Sequence, residues 1–112
     1  MGERRRFIRI PENLPISYEV LPNTKTRSFL TKDISEEGIR FFIHKPLPKY
    51  SLLKIKLSLE KTSFCLEAIV RVKWVRQEIP SQRYEIGAEF INISKGAKEH
   101  LIDYIRINLK NK

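Results

Sequence analysis

From residue 14 onward, apolar side chains recur at every second position, and this pattern constrains the chain more than any other feature it has. Leu14, Ile16, Tyr18 and Val20 alternate with Pro15, Ser17 and Glu19. Ile39, Phe41 and Ile43 alternate with Arg40, Phe42 and His44, and Leu53, Ile55, Leu57 and Leu59 with Lys54, Lys56, Ser58 and Glu60. A longer run places Phe64, Leu66, Ala68, Val70, Val72 and Trp74 on one parity, and Tyr84, Ile86, Ala88 and Phe90 close the series. A period of two sends successive side chains to opposite faces of a strand, so each segment buries one face and wets the other. Residues 26–34 also read as extended. About six short strands with hairpin-length connections predict a small antiparallel β-barrel.

The connections fall at 21–25, 45–51, 60–63 and 77–82, and Pro22, Pro46, Pro48 and Pro80 sit in three of them, where a missing backbone donor does little harm. One segment breaks the rhythm. After Ser94, a suitable N-cap, Ala97, Leu101, Ile102, Ile105 and Leu109 recur at helical spacing. The fold class is therefore mainly β, a six-stranded antiparallel barrel with a C-terminal α-helix. At 112 residues the expectation is one domain over 1–112, with an N-terminal segment at 1–10, the barrel at 14–93 and the helix at 94–110.

Composition narrows the function. Lys and Arg outnumber Asp and Glu by 22 to 13, and the net charge of +9 attracts polyanions. His44 and His100 have no ligand spacing to each other or to Cys65, so neither a zinc site nor another metal site is expected. Four glycines form no phosphate-cradling loop, no motif frames a serine nucleophile, and Glu36 and Glu37 read as turn residues. No catalytic residue is assigned, and no cofactor is expected. The lone cysteine fits a reducing compartment, no apolar run approaches a bilayer span, and no apolar stretch follows the basic N-terminus, so the expectation is a cytoplasmic protein without membrane insertion.

Two segments carry chemistry. Glu3-Arg4-Arg5-Arg6-Phe7-Ile8-Arg9 packs four arginines into six positions, whereas none of the 12 lysines falls there. The arginine fork matches phosphate oxygens and the O6/N7 edge of guanine in bidentate fashion, which a merely solubilising tail does not require. Asp33-Ile34-Ser35-Glu36-Glu37-Gly38 leads into the strand at 39–43. Alternation points Asp33 and Ser35 the same way, away from the core, and Gly38 would permit a positive φ in the turn. The plainer reading is an Asx-type turn in which both side chains cap their own backbone.

Together the two segments resemble the PilZ domain, a family of bacterial receptors for cyclic di-GMP. The Arg-x-x-x-Arg pair is Arg5 and Arg9, and the Asp-x-Ser-x-x-Gly motif follows about two dozen residues later. Ala68-Ile-Val-Arg-Val-Lys-Trp74-Val and Tyr84-Glu-Ile-Gly87-Ala-Glu-Phe90 are similar to the family's last two strands, so the likeness runs from about Glu3 to Ile93. It departs at Ile8, where many relatives carry proline. The resemblance implies a six-stranded barrel with the arginine motif on the N-terminal loop. It also implies that Arg5 and Arg9 contact phosphates and guanines, that Asp33 and Ser35 supply polar contacts, and that Gly38 forms the close turn beneath the ligand. Arg4 and Arg6 are candidate extra contacts, and an arginine just before the motif is similar to members that take two stacked nucleotides. Parity puts Trp74 on the core face with Val70 and Val72; the alternative sets its ring beside a bound guanine.

The resemblance implies a receptor that signals through a downstream protein partner, with no fused output domain expected. Its N-terminal segment through Ile10 is predicted to be mobile without ligand, for want of buried anchors, and to order over the barrel when ligand bridges Arg5 and Arg9 to Asp33 and Ser35. Two other readings remain. A basic barrel could hold single-stranded nucleic acid by stacking and phosphate contacts, but this leaves Asp33-x-Ser35-x-x-Gly38 unexplained. A PilZ-type interaction module that has lost its nucleotide would not need the arginines, aspartate and serine that are present here.

Overall fold

The computed structural model describes residues 8–22, 26–59 and 64–110. Seven strands and one helix run in the order β1 (Ile10–Pro11), β2 (Pro15–Val20), β3 (Thr26–Ile34), β4 (Gly38–Ile43), β5 (Leu52–Ser58), β6 (Cys65–Glu78), β7 (Arg83–Ile93) and α1 (Lys95–Lys110). Six of the strands close the barrel. All pairings are antiparallel, in the order β3-β2-β5-β6-β7-β4, and β4 returns to β3. Closure leaves no long unpaired edge among these six. β1 is a two-residue addition that pairs Ile10 with Ile34 and Pro11 with Asp33.

The alternating residues fill the interior as their period requires. Leu14, Ile16 and Tyr18, Ile39, Phe41 and Ile43, and Leu53, Ile55, Leu57 and Leu59 are all buried, as are Leu66, Ala68, Val70 and Val72. Fully burying one such aliphatic side chain contributes about 1.5–3 kcal/mol, so these rows supply most of the driving force. Tyr18 is also buried, its ring 5.6 Å from Phe41 and stacked at 5.8 Å on Phe29.

Two strands run past their predicted limits. β6 extends through Gln77 and Glu78, and β7 begins at Arg83, so the connection predicted at 77–82 narrows to four residues, 79–82. At α1 the Ser94 hydroxyl accepts from the Ala97 N–H at 3.1 Å, the cap expected from the sequence. Ala97, Leu101 and Ile105 are buried and Tyr104 joins them, whereas Ile102 is half-buried and Leu109 is 39% exposed. The helix packs against β1 and β6, and Tyr104 donates to the Glu12 carboxylate at 3.4 Å.

Candidate functional site

The β3–β4 hairpin builds the site. Asp33 and Arg40 face each other across it, and the Arg40 Nε donates to both Asp33 oxygens, at 2.9 and 2.8 Å, with Nη2 also bonded to Oδ2. The same carboxylate receives Arg9, whose Nη1 donates to Oδ1 at 2.8 Å. Asp33 is thus a buried anion held between two guanidinium groups, and its hydrogen bonds hold the Arg40 guanidinium above its ordinary range. Sequence reading passed over Arg40 as a solvent-side residue of an alternating strand. The signal was available in the hairpin itself, because a turn at 35–38 sets Arg40 opposite Asp33.

Arg9 is placed by backbone pairing and one buried side chain. Ile10 is 1% exposed and pairs with Ile34. Beyond it the chain is pinned by Thr31, whose hydroxyl donates to the Glu12 carbonyl at 2.6 Å and accepts the Leu14 N–H at 2.9 Å. Arg9 and Ile10 thus have the partners Asp33 and Ile34 at the end of the segment predicted to be mobile. Arg4, Arg5 and Arg6 lie outside the described residues.

Asp33 keeps the outward direction that strand alternation suggested, opposite Arg40 and next to the inward Ile34, and is only 5% exposed because Arg9 and Arg40 cover it; Ser35, beyond the strand, is instead fully buried in the turn. A bulge between Thr31 and Asp33 shifts the register, so that Thr31, opposite Phe41, and Ile34, opposite Ile39, both face inward while Asp33 faces out. Ser35 follows the plainer prediction: its hydroxyl accepts the N–H groups of Glu37 and Gly38, each at 3.2 Å, and closes its own turn. Asp33 does not cap its backbone but serves as the ion-pair centre. Gly38 is required for a different reason from the predicted one. Its backbone lies outside the left-handed region, and a Cβ there would sit 2.1 Å from the Ala88 carbonyl oxygen on β7.

Trp74 is not a core residue. A second bulge, between Val72 and Trp74, breaks the parity, so that Val72 is buried, Val75 takes the next inward place and Trp74 turns outward opposite Gly87. The indole lies directly on Gly87, where a Cβ would meet the ring at 2.2–2.5 Å. Gly87 is therefore the seat of the ring. The Arg76 guanidinium lies 5.2 Å from the ring centre. Arg9, Gly38, Trp74 and Gly87, with Glu37, Lys73, Ala88 and Glu89, border a shallow depression of about 190 Å³. The structure thus brings Arg9, Asp33, Gly38 and Trp74 to one end of the outer wall, with Ser35 buried beneath them.

A second anion continues the row. Glu85, 5% exposed, accepts Arg76 at 2.7 Å and Lys32 at 3.1 Å, and Arg40 approaches it at 3.8 Å. Burial pushes its carboxyl upward, but the hydrogen bonds from Arg76 and Lys32 outweigh that and hold it below the ordinary range. A continuous ionic chain therefore runs Arg9–Asp33–Arg40–Glu85 and ends on Arg76 and Lys32.

Fold and site together define a small β-barrel domain with a surface site bordered by Arg9, Lys73, two glutamates and one aromatic ring, and no cluster of metal-binding side chains occurs among the described residues. Residues 3–106 match the family model described as the PilZ domain. The chain belongs to the PilZ domain family, whose members are non-enzymatic cyclic di-GMP receptors. Among solved structures it is similar to the inhibitor of motility MotI/DgrA of Bacillus subtilis, with a TM-score of 0.87 and 19% identity over 99% of this chain and 54% of that one. It is similar also to the PilZ domain of Escherichia coli YcgR with c-di-GMP (TM-score 0.75, 18% identity, 97% and 93% covered). The K. pneumonia MrkH–c-di-GMP complex gives a TM-score of 0.75 at 22% identity, with 99% and 57% covered. At these identities the likeness is one of fold, and the chain spans about half the length of MotI/DgrA and MrkH. No curated protein sequence matches the chain. No helix among the described residues is long and apolar enough to cross a membrane.

Proposed function

We propose that this chain is a cyclic di-GMP receptor domain that signals through a partner protein. The observation that carries the reading is the Arg9–Asp33 pair beside the Trp74 seat. A guanidinium has five N–H donors, and Asp33 engages one of Arg9's, which leaves a held fork with four donors to offer. A bis-phosphate bearing two guanines suits such a fork. Phosphate oxygens and the O6/N7 edge accept from it, and Arg5, with Arg4 and Arg6 as further donors, adds cations on the same segment. Asp33 orients Arg9 while Arg40 orients Asp33. Ser35 and Gly38 shape the turn that brings β4 against β7, and Trp74 offers an aromatic edge beside the depression. The similar structures of YcgR and MrkH, solved with c-di-GMP, support the assignment.

The ligand lies on the barrel's outer wall, since the depression is too shallow to enclose a dinucleotide. Ligand bridging Arg5 and Arg9 to the barrel face at Asp33 orders the N-terminal segment, and the altered N-terminal face is what the partner reads. Isothermal titration with cyclic di-GMP, against GTP and a short oligonucleotide, tests this. Saturable heat with cyclic di-GMP alone is expected, and its stoichiometry separates one nucleotide from two. Replacing Arg5 and Arg9 together with alanine should abolish that heat at a stability cost of about 1 kcal/mol, because Arg40 still neutralises Asp33. Silence in the parent chain, repeated in an independent binding assay, would leave a PilZ fold without its nucleotide.

A further inference from the structure

The far end of the same hairpin carries a groove that the nucleotide reading does not use. Two neighbouring clefts of about 410 and 540 Å³ share Phe29 and His44 in their walls and together make up this groove. Apolar side chains line much of it. Phe29 and Leu47 pack on the core cluster, and Leu30 stands 55% exposed beside them. Every charged side chain along it is basic: Arg27 and Lys45 at one end, Arg83 at the other. Arg83 is paired with Glu78, but Arg27 and Lys45 have no carboxylate partner among the described residues.

We infer that this groove docks an acidic, amphipathic segment of a partner protein, its apolar side chains entering beside Phe29, Leu30 and Leu47 and its carboxylates pairing with Arg27 and Lys45. Charge complementarity sets the sign, because an apolar trough edged by cations repels basic peptides and leaves neutral ones without charge partners. The ring geometry favours a peptide over a nucleic acid strand. Stacking a base needs a bare aromatic face. Phe29 is already stacked on Tyr18 and lies 6.1 Å from His44, while Phe42 carries the Arg83 guanidinium at 3.8 Å and the Lys32 ammonium at 5.8 Å. The phenyl rings are in use as walls.

Selection of a random phage-displayed 12-residue peptide library on the full chain tests the inference, run without nucleotide so that its failure and that of the nucleotide reading are separate results. Enrichment of sequences combining Asp or Glu with Leu or Phe is expected. Synthetic versions should lose at least tenfold in affinity against the Arg27→Glu/Lys45→Glu double variant and against Leu30→Asp. Both variants are checked for an unchanged circular dichroism melt, and surface positions of this kind tolerate such changes. Parallel binding of a dT12 oligonucleotide and of phosphatidylglycerol vesicles provides the contrast. No enrichment, enrichment of peptides without acidic residues, or affinity indifferent to the double variant would overturn the inference. So would an oligonucleotide or vesicle signal that these variants abolish while no peptide binds.

Discussion

Replacing Gly38 with alanine isolates the close approach on which the site is built. The new Cβ would lie 2.1 Å from the Ala88 carbonyl oxygen, and 3.1 Å from both the Ala88 carbonyl carbon and the Glu89 Cα. All three are backbone atoms of β7, so no side chain can swing aside. β4 must retreat by about 1 Å, an overpacking of a kind that costs ~1–3 kcal/mol. The retreat also strains the bonds that hold this corner, Phe90 N–H to Glu37 carbonyl at 2.8 Å and Ser35 N–H to Gly38 carbonyl at 2.9 Å. Weakening two such bonds adds about 1 kcal/mol, for a total of ~2–4 kcal/mol. For a domain of this length that lowers the melting temperature by about 8–16 °C. Calorimetry reads the shift, and urea unfolding with an unchanged slope confirms that the native state alone is affected. Gly38→Asn discriminates the cause. A left-handed backbone would accept asparagine, whereas a steric contact makes asparagine no better than alanine. Gly96→Ala is the internal control: nothing lies within 4 Å of a Cβ there, and alanine in the helix should gain about 0.5 kcal/mol. A Gly38→Ala protein melting within about 1 °C of the parent, or one rescued by asparagine, would refute the packing argument.

Two further outcomes follow from the row of outward-facing residues. Because Glu85 is held below its ordinary range of about 4.5, the unfolded chain binds its proton more readily. Its contribution to stability is present above that range and is lost as pH falls through the lower folded value. Denaturant titrations should therefore show stability declining below about pH 4.5, and Glu85→Gln should flatten that limb; an unchanged acid limb would remove Glu85 from the account. Gly87→Ala should lift the indole of Trp74, the sole tryptophan, from its seat. Its fluorescence should shift to longer wavelength and cyclic di-GMP affinity should fall about tenfold, while an unshifted spectrum would show that the ring does not rest there.

The ionic chain gives the outer wall a continuity that the individual contacts do not suggest. Arg9 meets Asp33 at the turn end of the hairpin, Arg40 links that carboxylate to Glu85, and Arg76 and Lys32 close the series. Removing one member leaves a desolvated partner behind, which is why half-buried networks are costly to break even where their net contribution is small. Lys32 and Arg83 also lie against Phe42, where the second groove begins. One hairpin therefore carries the candidate nucleotide site at its turn and the candidate peptide groove at its open end.

Much of this molecule was legible in its residues. The two-residue period of Leu53, Ile55, Leu57 and Leu59 marks a strand with one buried face, and all four are buried. The Ser94 cap and the spacing of Ala97, Leu101 and Ile105 placed the helix. Alternation and capping are local, fixed by bond geometry over a few residues, and so they survive in sequence. The pairings of β2 with β5 and of β4 with β7 that close the barrel, and the pairing of Ile10 with Ile34 that anchors Arg9, join residues far apart in the chain and were not legible.

The site depended most on what the sequence does not encode locally. Two bulges, one before Asp33 and one before Trp74, each insert a residue and shift the parity across it, so Thr31 faces inward while Asp33 and Trp74 face outward, where an unbroken two-residue period would have set Trp74 in the core. A bulge forms where neighbouring strands must twist and bend to close the barrel, a demand of the whole sheet rather than of the residues that bear it. The sequence by itself determined the strands, the helix and the chemical identity of the arginines, aspartate and glycine. Only the tertiary structure decided which of them meet, because a closed barrel sets its registers by closure and packing across strands distant in sequence.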